Sequence, residues 1–414
     1  MAVEPTTGRA TAPAPQPVPS SGFVPPDRGG LSLLGTGHFL VDMTFGSLSP
    51  LLPAFKDSLA LTDLQTSLIL ASITLSSSLI QPLLGLMADR RRVTWFLWGG
   101  VGLATLGITL AGIVDTFGLL LVLVLLAGVG GGAYHPEAAR VANQLAGTRK
   151  ATGVAWFTVG GNLGFAAGPL LVALFVPLLD EHTSVIFAIP GAIACALLLI
   201  YRHRVAVPVV SRAARSERPA RSDRRGMALL VGVVSLRTWL QFGLMVVVPL
   251  LLTDQRGYSD RQAGFVIFAF VMFGALGTIA GSIVADRIGG KRMFISSMPI
   301  AAPMIACFIL VDGPLGIALF AISGAFQMAS FSATVVMGQD YMPARPALAA
   351  ALVLGFAAIG SATPWLPFIG WIADTQGRET AMWVLAALPL AAAALATTLP
   401  AARHPRVVPF PATS

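Results

Sequence analysis

The chain reads as an all-α membrane protein whose twelve transmembrane helices form two pseudo-symmetric six-helix bundles. Three observations carry that reading. Only 11% of the 414 residues are charged while 55% are hydrophobic, with a mean hydropathy of +0.77. Twelve apolar stretches are each long enough to span a bilayer, and one arginine-dense segment divides them six and six. The two sets also repeat one another in sequence. A soluble domain carries about 25% charged residues to cover its surface, so the charge deficit points to lipid as the solvent.

The first thirty residues are rich in Pro, Ala, Thr and Ser and lack the basic start and apolar core of a signal peptide. They read as a disordered cytoplasmic tail, 1–30. A bilayer core of about 30 Å needs about 20 apolar residues per helix. The stretches 31–55, 64–88, 93–113, 117–143, 150–178 and 184–201 meet that demand and form the first bundle, 31–201. Residues 202–226 form a basic cytoplasmic linker with arginines at 202, 204, 212, 215, 218, 221, 224 and 225. The stretches 227–252, 261–285, 293–311, 315–341, 347–372 and 380–399 form the second bundle, 227–400, followed by a short tail, 401–414. Cys195 and Cys307 both lie in long apolar runs, which makes them small buried hydrophobes rather than a disulfide framework or metal cluster.

Charge placement orients the chain, because cytoplasmic loops carry the excess of Lys and Arg. With an even number of crossings both termini share one side. That side holds 21 of the 27 basic residues; the other holds Lys56, Arg256, Arg261 and Arg378 against ten acids. The termini and linker are therefore expected in the cytoplasm. The net charge of +8 follows this topology, and no nucleic-acid partner is expected.

The halves share motifs. Phe45-Gly46 followed by Pro53 in the first stretch matches Phe242-Gly243 followed by Pro249 in the seventh. The loop Gly85-Leu-Met-Ala-Asp89-Arg90-Arg91-Arg92 returns as Gly281-Ser-Ile-Val-Ala-Asp286-Arg287-Ile-Gly289-Gly290-Lys291-Arg292. Gly164 to Gly168-Pro169 in the fifth stretch corresponds to Gly360 to Pro364 in the eleventh. Repeated halves around a cytoplasmic linker are what alternating access by rocking requires.

These residues resemble the major facilitator superfamily, whose cytoplasmic loop signature the Gly85–Arg92 segment and its second copy match. The Asp of such a loop, at a helix end, can accept from facing amides or an arginine and latch the cytoplasmic side shut. Gly85, Asp89, Arg90 and Arg92, with Asp286, Arg287 and Arg292, are the latch candidates. Within that superfamily, Ala133-Tyr134-His135-Pro136-Glu137-Ala138-Ala139-Arg140-Val141-Ala142 resembles the fosmidomycin-resistance transporters. So do Gly37-His38-Phe39 to Asp42, Val159-Gly160-Gly161-Asn162 with Gly168-Pro169, and Gly338-Gln339-Asp340. The acid of the tenth helix, usually Glu in that family, is Asp340 here. The antiporter-type glycine motif of the fifth helix is partial, with Ala155, Val172 and Ala173 at its outer positions. The resemblance implies a bacterial inner-membrane, multi-pass, proton-coupled exporter of drugs or metabolites.

Ionisable side chains at bilayer depth cost several kcal/mol unless paired or wetted, so each needs an explanation. Counting 1.5 Å per residue puts Asp42 and Arg237 near the midplane, and His38, His135 and Glu137 in the cytoplasmic half. Arg140 and Asp340 fall near the inner mouth and are read as gate or ion-pair residues. His38 and Asp42, four apart, share one helix face. A carboxylate beside an imidazole favours the charged form of both, so the pair can hold one proton near neutral pH. The alternative is a structural hydrogen bond pinning the first helix.

His135 precedes Pro136, and Gly128, Gly130, Gly131 and Gly132 lie just upstream; together they predict a bent or broken fourth helix. Kinks are likewise expected at Gly164, Gly168 and Pro169. Glu137 and Arg140, three apart, can pair along one face, either as a proton switch or as a structural bridge. Arg237 stays protonated and needs Asp42, Glu137, Asp340 or an anionic substrate as partner. Gln241, Asn162 and Tyr134 complete the cavity-lining candidates. No pairing of His or Glu with His at metal-ligand spacing lies within one helix, and no nucleophile elbow or zincin motif is present, so neither metal site nor enzyme is expected.

The function expected is a proton-coupled antiporter working by alternating access, energised by the proton gradient without a cofactor and partnered by small-molecule cargo, protons and lipid, as a monomer. The first alternative is a proton-coupled uptake symporter for a small organic anion. The second is a non-transporting membrane sensor with a transporter fold.

Overall fold

The computed structural model describes residues 25–90, 93–146, 150–206, 222–342, 348–349 and 351–400. Every regular element among them is helical. The first half contains α1 (Arg28–Ser58), α2 (Asp63–Arg90), α3 (Trp95–Ala111), α4 (Phe117–Leu145) and α5 (Lys150–Leu179). A 3-10 segment, Asp180–Phe187, then leads to α6 (Ala188–Ile200) and the single turn α7 (Arg202–Val205). The second half contains α8 (Arg224–Arg256), α9 (Asp260–Ile288), α10 (Gly290–Leu310), α11 (Pro314–Met328) and α12 (Phe331–Tyr341). A π-helical segment, Ala351–Gly360, follows, then α13 (Ala362–Gln376) and α14 (Arg378–Thr397).

Nine of these helical stretches are long and apolar enough to cross a membrane. One of them, Phe157–Ile200, contains two crossings, α5 and α6. α1 and the shorter apolar α3 fall outside those nine. α1 has the length at 31 residues but carries a polar stripe of Thr, His, Asp and Ser. Helix starts differ slightly from expectation: α1 begins inside the predicted tail and α8 inside the predicted linker. Residues 1–24, 207–221 and 401–414 of the tails and linker lie outside the described residues.

The internal repeat extends to a device absent from the sequence reading. Asp27 caps α1 by accepting from Gly30 N at 3.1 Å, and its own N–H donates to Leu145 O at the end of α4, 2.8 Å away. Asp223 caps α8 by accepting from Gly226 N at 2.8 Å and donates its N–H to Tyr341 O at the end of α12, 2.7 Å away. Each half thus ties its first helix to its fourth crossing with one aspartate, satisfying terminal groups that an uncapped helix leaves open. The shared signature, Asp-Arg-x-Gly, stands at 27–30 and 223–226.

Of the bend or break expected in the fourth helix, the break is absent: α4 runs without interruption through Pro136. α5 likewise runs unbroken through Pro169 and Pro177. A proline in a bundle removes one hydrogen bond, and the surrounding helices keep the rest of the ladder in place. The glycines serve close packing instead. In α4, a Cβ at Gly131 would lie 2.5 Å from the Phe45 ring of α1, and one at Gly130 2.7 Å from Gly100 O of α3. In α5, Gly160, Gly164 and Gly168 each lie directly against α1 backbone, at Gly35, Phe39 and Met43. Lipid tails are as apolar as leucine, so backbone approach across small residues holds such helices together.

Each half has its own apolar core. The first-half core also takes in Met245, Val246 and Leu250 of α8 with Ala362 and Leu366 of α13. The halves meet at the face remote from the termini. There Ser49 Oγ donates to Met245 O, and Gly370 of α13 lies against Ser67 of α2. The contact reaches about mid-helix, where a Cβ at Gly360 would lie 3.3 Å from Ser78. Among the described residues no hydrogen bond or ion pair joins the halves on the terminus side.

Candidate functional site

Asp42 lies at the middle of α1, and its carboxylate is gripped from both sides. His38 Nε2 is 3.2 Å from Oδ2 and His135 Nε2 is 3.0 Å from Oδ1. The spacing of four places His38 on the Asp42 face of α1, and α4 supplies His135 from the next helix. The His38 ring stacks on Phe157 of α5 with centroids 4.1 Å apart, and its Nδ1 is 2.9 Å from Phe157 O. Gly161, one turn further along α5, opens the space for this cluster: a Cβ there would lie 2.5 Å from His38 Nε2 and 2.6 Å from Asp42 Oδ2. All three polar side chains are half-buried.

Hydrogen-bond bookkeeping gives this geometry a chemical consequence. Nδ1 of His38 faces a backbone carbonyl, which only accepts, so it carries a hydrogen. Nε2 faces a carboxylate oxygen, which when ionised also only accepts. A neutral imidazole has a single N–H. With a hydrogen on both nitrogens of His38, the His38–Asp42 contact can hold one more proton than a neutral histidine and an ionised aspartate supply. His135 donates Nε2–H to the other carboxylate oxygen. The cluster where α1, α4 and α5 converge is thus able to hold one exchangeable proton.

His38, Asp42 and His135 also form the group of described residues whose donor atoms approach as a metal site does, all within 4.8 Å. Each imidazole grips a different carboxylate oxygen, however, which fits paired hydrogen bonds better than three donors converging on one ion. Glu137, considered with them from sequence, is committed elsewhere.

Glu137 is fully buried and pairs with Arg140 one turn on, with Nη2 2.6 Å from Oε1 and Nε 2.9 Å from Oε2. Both belong to α4, so the pair moves as one body. Tyr134, expected in the cavity, is instead fully buried. Its ring covers Gly37 and its hydroxyl donates to Leu34 O, a structural clasp between α4 and α1. Asn162 is exposed on α5, next to Gly161.

In the second half, Arg237 of α8 is buried to 2% exposure. None of its expected partners is an ion-pair partner: Asp42 holds the two histidines, Glu137 holds Arg140, and Asp340 forms no ion pair with it. Its guanidinium lies 5.0 Å over the Phe331 ring, with Nη1 3.5 Å from Thr334 Oγ1. Gln241, one turn along α8, and Asp340 are half-buried.

The latch candidates fall mostly outside the described residues. Arg92 is among the residues not described, as are the side chains of Asp89, Arg90 and Asp286 and the surroundings of Gly85. Arg287 and Arg292 are exposed. The neighbouring Lys291 closes the end of α14, donating to Thr397 O at 2.7 Å and Leu399 O at 2.5 Å.

Sequence reasoning missed a charged lock between the halves at the opposite face. Arg378 of α14 makes a two-pronged contact with Asp63 of α2, at 2.6 and 2.7 Å, and also reaches Asp254 of α8 at 2.7 Å and Leu250 O at 3.0 Å. Lys56 of α1 pairs with both Asp63, at 3.0 Å, and Asp254, at 2.6 Å. Asp374 of α13 caps α2, accepting from Asp63 N and Leu64 N at 2.6 and 2.7 Å. The signal was the acid excess on that face, which had served only to orient the chain.

The sequence pattern of the Major Facilitator Superfamily matches residues 34–363 and 227–413. The chain is 28% identical over 382 residues to the MFS-type transporter YfnC of Bacillus subtilis, covering 87% of this chain and 90% of that protein. It is 27% identical over 380 residues to the fosmidomycin resistance protein of Escherichia coli, covering 90% of this chain and 93% of that one. The nucleoside transporter NupG superposes with a TM-score of 0.72 at 16% identity, covering 89% of this chain and 98% of NupG. A bacterial homologue of the human lysosomal transporter Spinster, in an inward-facing and unoccupied conformation, superposes with a TM-score of 0.74 at 15% identity, covering 89% and 95%. Fold, repeat and sequence pattern agree, and the chain belongs to the Major Facilitator Superfamily.

Proposed function

We propose that this transporter is a proton-coupled antiporter that exports a drug or small metabolite across a bacterial inner membrane by alternating access. The observation that carries the coupling is the Asp42 carboxylate between two imidazoles, one of which is placed to share an extra proton with it. With the termini cytoplasmic, as the charge distribution predicts, the locked face is periplasmic and the described conformation faces inward. A proton taken up from the periplasm then sits at His38–Asp42. Its departure to the cytoplasm leaves the site able to admit cargo from inside. Cargo binding and proton binding bias the same two-state rocking of the halves, which is the coupling that antiport needs.

The likeness to the fosmidomycin resistance protein makes fosmidomycin the first cargo to test. In everted membrane vesicles with an acidic interior, antiport predicts that adding cargo dissipates the gradient, as protons leave the lumen, while cargo accumulates inside. Accumulation with no proton movement would overturn the proposal. Uptake symport would instead carry protons and cargo in the same direction, so the same assay separates the two.

A further inference from the structure

Arg237 is the charged side chain that the scheme above leaves without a task. It is 2% exposed on α8, and no described carboxylate pairs with it. Of its five N–H groups, one makes a long contact, 3.5 Å to Thr334 Oγ1. An unpaired arginine at bilayer depth is expensive, and neither the Phe331 ring nor a hydroxyl neutralises it.

The surroundings are those of an incomplete anion site. The tenth crossing breaks between Met328 and Phe331, so the positive end of α12 lies beside the guanidinium. At this junction two further polar atoms are buried without a partner, Ser330 Oγ and Gln327 Oε1. Gln327 is fixed there by its Nε2, which donates to Arg237 O at 3.2 Å. A rigid guanidinium fork, the unpartnered Ser330 hydroxyl and a helix N-terminus make a donor set that suits an oxyanion. Thr334, whose own hydroxyl donates to Phe331 O at 2.7 Å, steers the fork by accepting from Nη1. Gln327 Oε1 can accept from a protonated edge of the same group.

We propose that Arg237, Thr334 and Ser330 form a subsite for an oxyanion group of the cargo, a carboxylate, phosphonate or phosphate. This rests on the transporter reading for the word cargo, while the site itself is tested by binding. The site lies in the second half and the His38–Asp42 proton in the first, so cargo and proton engage opposite sides of the rocking interface.

The test uses the full chain in lipid nanodiscs and pairs of acid and neutral probes: fosmidomycin and its phosphonate diester, phenylphosphonate and its diester, and benzoate and benzamide. Titration calorimetry is expected to find at least one acid binding well above its neutral partner. Arg237→Gln is expected to weaken that acid about 100-fold while leaving the neutral partner unchanged, with Arg237→Lys intermediate because charge remains without the fork. Thr334→Val, which keeps the cation, is expected to lose about 10-fold. A variant is scored only when its elution profile matches wild type, and Thr334→Val and Ser330→Ala serve if Arg237→Gln does not fold. The proposal is overturned if no acid outcompetes its neutral partner in wild type, or if the variants leave the acid preference intact. Failure of proton-driven transport with anion binding intact would sink the antiport reading and leave the subsite standing.

Discussion

In the proposed scheme the coupling rests on Asp42, and Glu137 shows how a neighbouring acid differs. Both acids were visible in the sequence as costly charges at bilayer depth, and so was the His38–Asp42 spacing. The contribution of His135 from another helix was not, because nothing in a single sequence states which face of α4 meets α1. Glu137 holds Arg140 within one helix, so rocking of the halves does not separate them. Glu137→Gln is therefore expected to act on stability, leaving Arg140 uncompensated at a cost of about 3–5 kcal/mol. A thermal-unfolding scan in detergent checks this; an unchanged melting temperature with lost coupling would return Glu137 to the proton pathway.

At the scale of elements, glycine spacing was legible and its use in close packing was not. The run at 128–132 and the series 160, 164, 168 suited kinks when read against the adjacent prolines. In the structure they are contact points with α1, α2 and α3, and the prolines sit inside continuous helices. Local backbone preference yields to a bundle that supports the helix from several sides. Gly161 separates packing from chemistry. Gly161→Ala places a methyl against His38 and Asp42 and is expected to impair proton-driven transport with little loss of expression. Gly164→Val, pressed on α1 backbone at Phe39, is expected to cost about 1–3 kcal/mol of stability by overpacking. Comparing transport with melting temperature in the two variants checks both; the reverse pattern would contradict the assignment.

At the scale of the molecule, an all-helical membrane fold of two repeated halves could be read from composition and motif. The lock between the halves could not, since Asp63 and Arg378 are 315 residues apart and only the tertiary fold brings them together. That lock predicts the conformational bias. Arg378→Gln removes the two-pronged partner of the buried Asp63 carboxylate and leaves it Lys56 alone. Losing charge-assisted hydrogen bonds of this kind costs about 1.5–3 kcal/mol, enough to move a two-state equilibrium by about 10-fold or more. Spin labels on the loops of the remote face, one per half, are expected to show the closed distance giving way to an open one. An unchanged distance distribution would show that apolar packing alone holds that face.

The central claim is that Asp42 carries the coupled proton, and the most direct measurement separates movement of cargo from its energisation. In proteoliposomes containing Asp42→Asn, the carboxamide fills the same space but no longer exchanges the proton shared with His38. The account predicts that cargo counterflow persists, because rocking and cargo binding survive, while accumulation driven by a pH gradient is lost. Gradient-driven accumulation at the wild-type level in Asp42→Asn would contradict it.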